Sequence, residues 1–160
     1  MMCGFENPIK ILLVDGGRAD RFRSLRALLR MCVSVDCATS FGEARELCGL
    51  AASRSAPYRG VCTEARLPDA GPHAIFEWLG SVGAQRDPER LPAATVVVSD
   101  VIDPEVMQLA FRNGCRGWVP KPLDDLRLEH TLQRLHVFRR AATSPGPASL
   151  QHSGDRSIGG

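Results

Sequence analysis

The chain has 160 residues, enough for one domain of roughly 100 to 200 residues and too few for a second full one. Hydrophobic residues make up 44% and charged residues 24%, a mix that supports a buried core and excludes wholesale disorder or collagen-like repeats. Lys+Arg 20 against Asp+Glu 18 leaves a formal net charge of +2, so no global basic field draws the chain to nucleic acid or a membrane surface.

In chain order, residues 1–7 read as an N-terminal extension without the cationic segment, apolar stretch and cleavage site of a secretory signal. Ile9 to Val14 reads as a first strand, and Phe22, Leu25, Leu29 and Cys32 then fall on one stripe of a first helix. A second strand is expected over Val33 to Cys37, followed by a helix on Ala44, Leu47 and Cys48. The third strand, Tyr58 to Thr63, leads to a helix on Ile75, Trp78, Leu79 and Val82. The fourth, Ala94 to Ser99, precedes a helix that opens at Asp103-Pro104, an N-cap with proline in the first turn, and stops at Asn113-Gly114. A short fifth strand, Gly117 to Val119, leads to a last helix from about Leu123 to Arg140 on Leu128, Leu132, Leu135 and Phe138. Residues 8–140 are thus the expected domain. Ala141 to Gly160, with ten Gly, Pro or Ser, reads as a flexible tail.

Five alternating strand–helix units imply an α/β doubly wound fold, a parallel sheet covered on both faces, and the continuously apolar Ile11 to Val14 and Val96 to Val98 suit doubly covered strands. The longest apolar runs fall far short of the ~20 residues of a bilayer span, so a cytoplasmic protein without a membrane segment is expected. Six cysteines (Cys3, Cys32, Cys37, Cys48, Cys62, Cys115) include no CxxC pair and read as free thiols. His73, His130, His136 and His152 lack metal-ligand spacing and are expected at the surface.

In open α/β sheets chemistry gathers beyond the carboxyl ends of the strands. There the sequence places Asp15, Glu64, Ser99 and Lys121: two carboxylates, a hydroxyl and an ammonium around one crevice. Such a set is either a reaction centre or a self-satisfied ion-pair network. Gly16-Gly17 after the first strand lacks the G-x-G-x-x-G pattern of a dinucleotide site.

At these residues the chain resembles the receiver domains of two-component response regulators. The resemblance rests on Ile11-Leu-Leu-Val-Asp15, on Leu67-Pro68, on Ser99 and on the run Ala110-Phe-Arg-Asn-Gly-Cys-Arg-Gly-Trp-Val-Pro-Lys-Pro122, similar to the family's A-x-x-x-G-A-x-G-Y-x-x-K-P segment. It implies a flavodoxin-like (βα)5 fold with strand order 2-1-3-4-5. By the same resemblance an Asp after the third strand accepts a phosphoryl group from a histidine kinase, and that Asp with an acidic pair after the first strand binds magnesium. It further implies that Asp15 is one of the acidic pair, Ser99 the switch hydroxyl, Lys121 the phosphate-contacting lysine, Trp118 the switch aromatic and Lys121-Pro122 a candidate cis peptide.

Two positions depart from that pattern. Glu64 stands at the acceptor position and Gly16 at the second acidic position, which takes one carboxylate from a magnesium site and lengthens another. No metal and no cofactor are therefore expected, with Glu64 and Lys121 forming a metal-independent ion pair and Arg66 a candidate for neutralising the pocket. The expected function is that of a pseudo-receiver: not an enzyme, not phosphorylated, and acting in signal transduction by protein–protein contact. The alternatives are a phosphorylatable single-domain response regulator with Mg²⁺, and a flavodoxin-like domain that binds a small ligand.

The expected partner is a histidine kinase or another signalling protein. Met107, Phe111 and Trp118 form one candidate surface, by resemblance also a homodimer face built from helix four, strand five and helix five. Arg18 and Arg21, on a first helix that also carries Arg23, Arg26 and Arg30, form the other. Nucleic acid is not expected, since no helix-turn-helix unit follows residue 140.

Overall fold

The computed structural model describes residues 9–84 and 94–135. Its ten elements are β1 (Lys10–Val14), α1 (Arg18–Leu29), β2 (Ser34–Ala38), α2 (Phe41–Ser53), β3 (Gly60–Thr63), α3 (Pro72–Ala84), β4 (Ala94–Ser99), α4 (Pro104–Arg112), β5 (Cys115–Pro120) and α5 (Asp125–Arg134). All strand pairs are parallel and the sheet runs in the order β2-β1-β3-β4-β5, the doubly wound flavodoxin-like arrangement.

Alternation along each strand divides the core. Ile11 and Leu13 of β1, Cys62 of β3 and Val96 and Val98 of β4 face Ala27 and Leu28 of α1 and Leu128 and Leu132 of α5. Leu12, Val14, Val61 and Val97 face the opposite way, onto Ala44 of α2, Ile75, Phe76 and Leu79 of α3 and Ala110 of α4. Helix ends follow local chemistry. Ser40 caps α2 through the Glu43 amide, Asp103 caps α4 with Pro104 behind it, and Gly114 after α4 has φ 90°, a conformation only glycine adopts without strain.

Three expectations need correction or fall outside this description. The stripe Phe22, Leu25, Leu29 is not the buried face of α1. Phe22 and Leu29 are 61% and 54% exposed, and the helix meets the sheet through Ser24, Ala27 and Leu28. Small Ser24 and Ala27 let the helix backbone lie close to the sheet, and Leu28 fills the layer shared with α5. Cys32 is disulfide-bonded, against the reading of all six cysteines as free thiols, because sequence spacing does not report which cysteines meet in space. Cys37, Cys48, Cys62 and Cys115 are not disulfide-bonded. The described part of α5 ends at Arg134, so the expected continuation to Arg140, the tail from Ala141, His136 and His152 lie outside the described residues. Among the described residues no helix is long and apolar enough to cross a membrane.

Candidate functional site

The backbone ladder runs one residue past the strands and thereby fixes the site. Asp15 N–H donates to the Ala38 carbonyl (3.0 Å), Glu64 N–H to that of Val14 (2.9 Å) and Lys121 N–H to that of Ser99 (3.0 Å). With Val14 paired to Thr63 and Ser99 to Pro120, the side chains of Asp15, Glu64, Ser99 and Lys121 converge at one end of the sheet. The Lys121–Pro122 peptide in this turn is cis.

Glu64 lies at the centre. Its Oε1 accepts from the Ala65 amide (2.7 Å) and from the Ser99 hydroxyl, and its Oε2 lies 2.7 Å from Lys121 Nζ. Ser99 Oγ in turn accepts from Val101 N–H at 3.1 Å. Lys121 Nζ also reaches Asp15 Oδ2 at 3.0 Å and Asp20 Oδ2 at 3.1 Å, so one ammonium joins three carboxylates. Asp15 Oδ1 accepts from Gly17 N–H (2.8 Å), and the Arg21 guanidinium donates to the Asp15 carbonyl (2.9 Å). Among the described residues no buried side-chain nitrogen or oxygen lacks a partner.

The side chains of Lys121 and Glu64 are each 10% exposed, that of Asp15 5% and that of Asp20 43%. Burial alone would depress the Lys121 ammonium. Hydrogen bonds to Glu64, Asp15 and Asp20 outweigh it and hold the group above its ordinary value. Asp20, the most exposed of the three carboxylates, places its charge where solvent screens it.

Asp20 was not singled out by sequence reasoning. It sits in the first turn of α1, where an acid is already favoured by the helix dipole, so its spacing signalled nothing further. Arg66, the expected neutralising cation, is exposed and makes no ion pair among the described residues; Lys121 neutralises the pocket instead. Gly16 is held small by its surroundings, since a Cβ there would lie 2.9 Å from Pro68 Cδ and 3.4 Å from the Thr39 carbonyl oxygen. A carboxylate at position 16 would need the rigid proline ring to move.

These residues do not fit the magnesium ion implied by the resemblance. The second acid is missing, and the carboxylates that remain are drawn onto an ammonium at 2.7 to 3.1 Å. Among the described residues no cluster of three or more His, Cys, Asp or Glu is arranged to hold a metal.

Trp118 is partly buried against the core cluster that contains Ala110 of α4, and Met107 is partly buried on α4. Phe111 is 48% exposed beside them. Arg18 is exposed and Arg21 half-buried, and His73 and His130 lie at the surface.

A five-stranded parallel sheet in the order β2-β1-β3-β4-β5, with helices on both faces and polar side chains gathered at its strand ends, defines a doubly wound α/β domain. The solved structures agree on the fold. The chemotaxis response regulator CheY4 of Vibrio cholerae matches with a TM-score of 0.63 at 24% identity, over 81% of this chain and 99% of that one. A CheY-like receiver domain protein from Methanospirillum hungatei gives 0.65 at 19% identity, over 81% and 94%. The receiver domain of a signal transduction histidine kinase from Syntrophus aciditrophicus gives 0.65 at 16% identity, over 87% and 98%. The chain has the receiver-domain fold. No family model and no curated protein matches it at the level of sequence.

Proposed function

We propose that this chain is a receiver-like signalling module that works by contact with other proteins, without phosphoryl transfer, metal or cofactor. One observation carries the reading: the Glu64 carboxylate engages the Ser99 hydroxyl, the Ala65 amide and the Lys121 ammonium together. Hydroxyl and lysine are the groups that, by the resemblance, receive phosphoryl oxygens in receivers. Here a carboxylate one methylene longer than Asp reaches them directly, so the switch hydroxyl is engaged in the resting protein. Ser99 inward and Trp118 packed on the core agree with a permanently engaged site. A small-ligand role at this crevice is disfavoured because its polar groups bind one another. The partner class is a histidine kinase or another protein of a signalling pathway, met through the chain's own surface.

The test is incubation of the protein with acetyl phosphate and Mg²⁺, followed by intact-mass measurement. No added phosphoryl group is the expected result. A stoichiometric acyl phosphate on Glu64 or Asp15 overturns the reading.

A further inference from the structure

Cys32 stands in the turn between α1 and β2, at the opposite end of the helix from Asp20. Its N–H donates to the Leu29 carbonyl (3.3 Å), its φ is 57°, and it is exposed. Glycine or asparagine takes up that left-handed conformation at little cost, so a cysteine here works against its own backbone preference. Such an outlier points to a role beyond the turn itself. Two residues on, Ser34 N–H donates to the Ile9 carbonyl (2.8 Å), which sets the start of β1 beside the start of β2.

Cys32 is disulfide-bonded, and within this chain one partner is left to it. Of the six cysteines, Cys37, Cys48, Cys62 and Cys115 are not disulfide-bonded, which leaves Cys3. Cys3 lies outside the described residues, six positions before Ile9. Six residues reach at most ~20 Å, and Ile9 is already hydrogen-bonded two residues from Cys32, so the length of chain permits the pair.

Other thiols of the chain compete poorly. Burial pushes the Cys62 thiol up to about 12 and raises those of Cys115 and Cys37 as well. Because the thiolate is the species that attacks a peroxide or a disulfide, these three react slowly at neutral pH. A disulfide at exposed Cys32 is open to an incoming thiol, and exposed disulfides are the labile ones.

We propose that Cys3 and Cys32 form a reversible thiol–disulfide couple that fastens the segment ahead of β1 to the α1–β2 turn. To open it, a thiolate of a protein dithiol attacks one sulfur and releases the other as a thiolate; the second thiol of the reductant then displaces the first, leaving two cysteine thiols and an oxidised reductant. To close it, one cysteine thiolate attacks hydrogen peroxide, giving a sulfenic acid and hydroxide, and the second thiol displaces the sulfenic oxygen as water. In sum, two thiols and one peroxide give one disulfide and two waters. The couple does not depend on the state of Glu64, so an acyl phosphate at the strand-end site would leave it standing.

The test equilibrates the full chain in glutathione buffers of graded ratio, alkylates it with iodoacetamide in denaturant, and reads intact mass and a non-reducing peptide map. Four alkylated cysteines and a Cys3–Cys32 linked peptide are expected at the oxidising end, and six alkylated cysteines after a protein dithiol. Hydrogen peroxide is expected to restore the link. On reduction the melting temperature is expected to fall by roughly 5–15 °C, as for the loss of one loop-closing disulfide. Cys3→Ser is expected to melt like the reduced parent and to ignore the dithiol. So is Cys32→Gly, whose backbone suits the turn and which therefore separates loss of the link from failure to fold. Six alkylated cysteines without reductant, Cys32 linked to any cysteine but Cys3, or chains joined to one another on a non-reducing gel would overturn the proposal. So would a link that neither glutathione nor the protein dithiol opens, a melting temperature that reduction leaves unchanged, or a response to dithiol that persists in Cys3→Ser.

Discussion

Lys121 Nζ lies 2.7 Å from Glu64 Oε2, closer than to either aspartate of the same cluster. The contact ties β5 to β3 across β4 and, through Asp15 and Asp20, to β1 and α1. Two groups each about nine-tenths buried are involved, so the energetic weight lies in what remains when one is removed: an uncompensated buried charge costs more than the pair contributes.

Lys121→Met leaves Asp15, Glu64 and Asp20 facing one another without a cation, and its expected cost is about 3–5 kcal/mol. Glu64→Gln leaves the ammonium on two carboxylates and is expected to cost about 1–3 kcal/mol. For Asp20→Asn, whose side chain is 43% exposed, solvent screening brings the expectation below about 1 kcal/mol. Urea unfolding of the three variants checks the order Lys121, Glu64, Asp20; equal costs would contradict it.

The pH dependence follows from the direction of the Lys121 shift. A group held above its ordinary 10.5 in the folded state contributes its full stability below that value and loses it only as pH climbs through the higher folded value. The stability difference between the parent and Lys121→Met is therefore expected to stay constant from about pH 7 to about pH 10. A difference that shrinks inside this window would show that the ion pairs do not hold the ammonium.

Gly16→Ala tests the close approach of Pro68. The added methyl meets the ring at 2.9 Å, an overpacking expected to cost about 1–3 kcal/mol. Pro68→Ala in the same chain should recover most of the loss, because it removes the atoms that collide. Thermal melts of the two single variants and the double variant measure this; additive losses would rule the contact out.

Ser99→Ala removes one donor from Glu64 Oε1 but leaves the Ala65 amide and Lys121 in place. The expected cost is about 1 kcal/mol, since the carboxylate keeps partners for both oxygens. A loss as large as that of Lys121→Met would mean that the hydroxyl, and not the ammonium, holds Glu64.

The sheet was legible in the sequence because its signal is local: continuously apolar Ile11 to Val14 and Val96 to Val98, and the Asp103-Pro104 and Asn113-Gly114 ends of α4. The pairing of Glu64 with Lys121 was legible through the strand-end rule and the likeness to receivers. What escaped depends on arrangement in space. The apolar stripe of α1 has the periodicity of a buried face, yet the edge position of β2 leaves it uncovered and Ser24, Ala27 and Leu28 make the contact. Asp20 and Arg66 both stand near strand ends in sequence, but only the register of α1 beneath the β5 turn decides that Asp20 reaches Lys121 while Arg66 points to solvent.

The most direct measurement is a crystal structure of the protein soaked with Mg²⁺ and beryllofluoride, which mimics a phosphoryl group on a carboxylate. The expected density shows Glu64 still on Ser99 and Lys121, with neither a metal nor beryllofluoride in the crevice. A tetrahedral beryllofluoride on Glu64 or Asp15, with a cation beside it and Lys121 moved onto the fluorides, would contradict a phosphorylation-independent site.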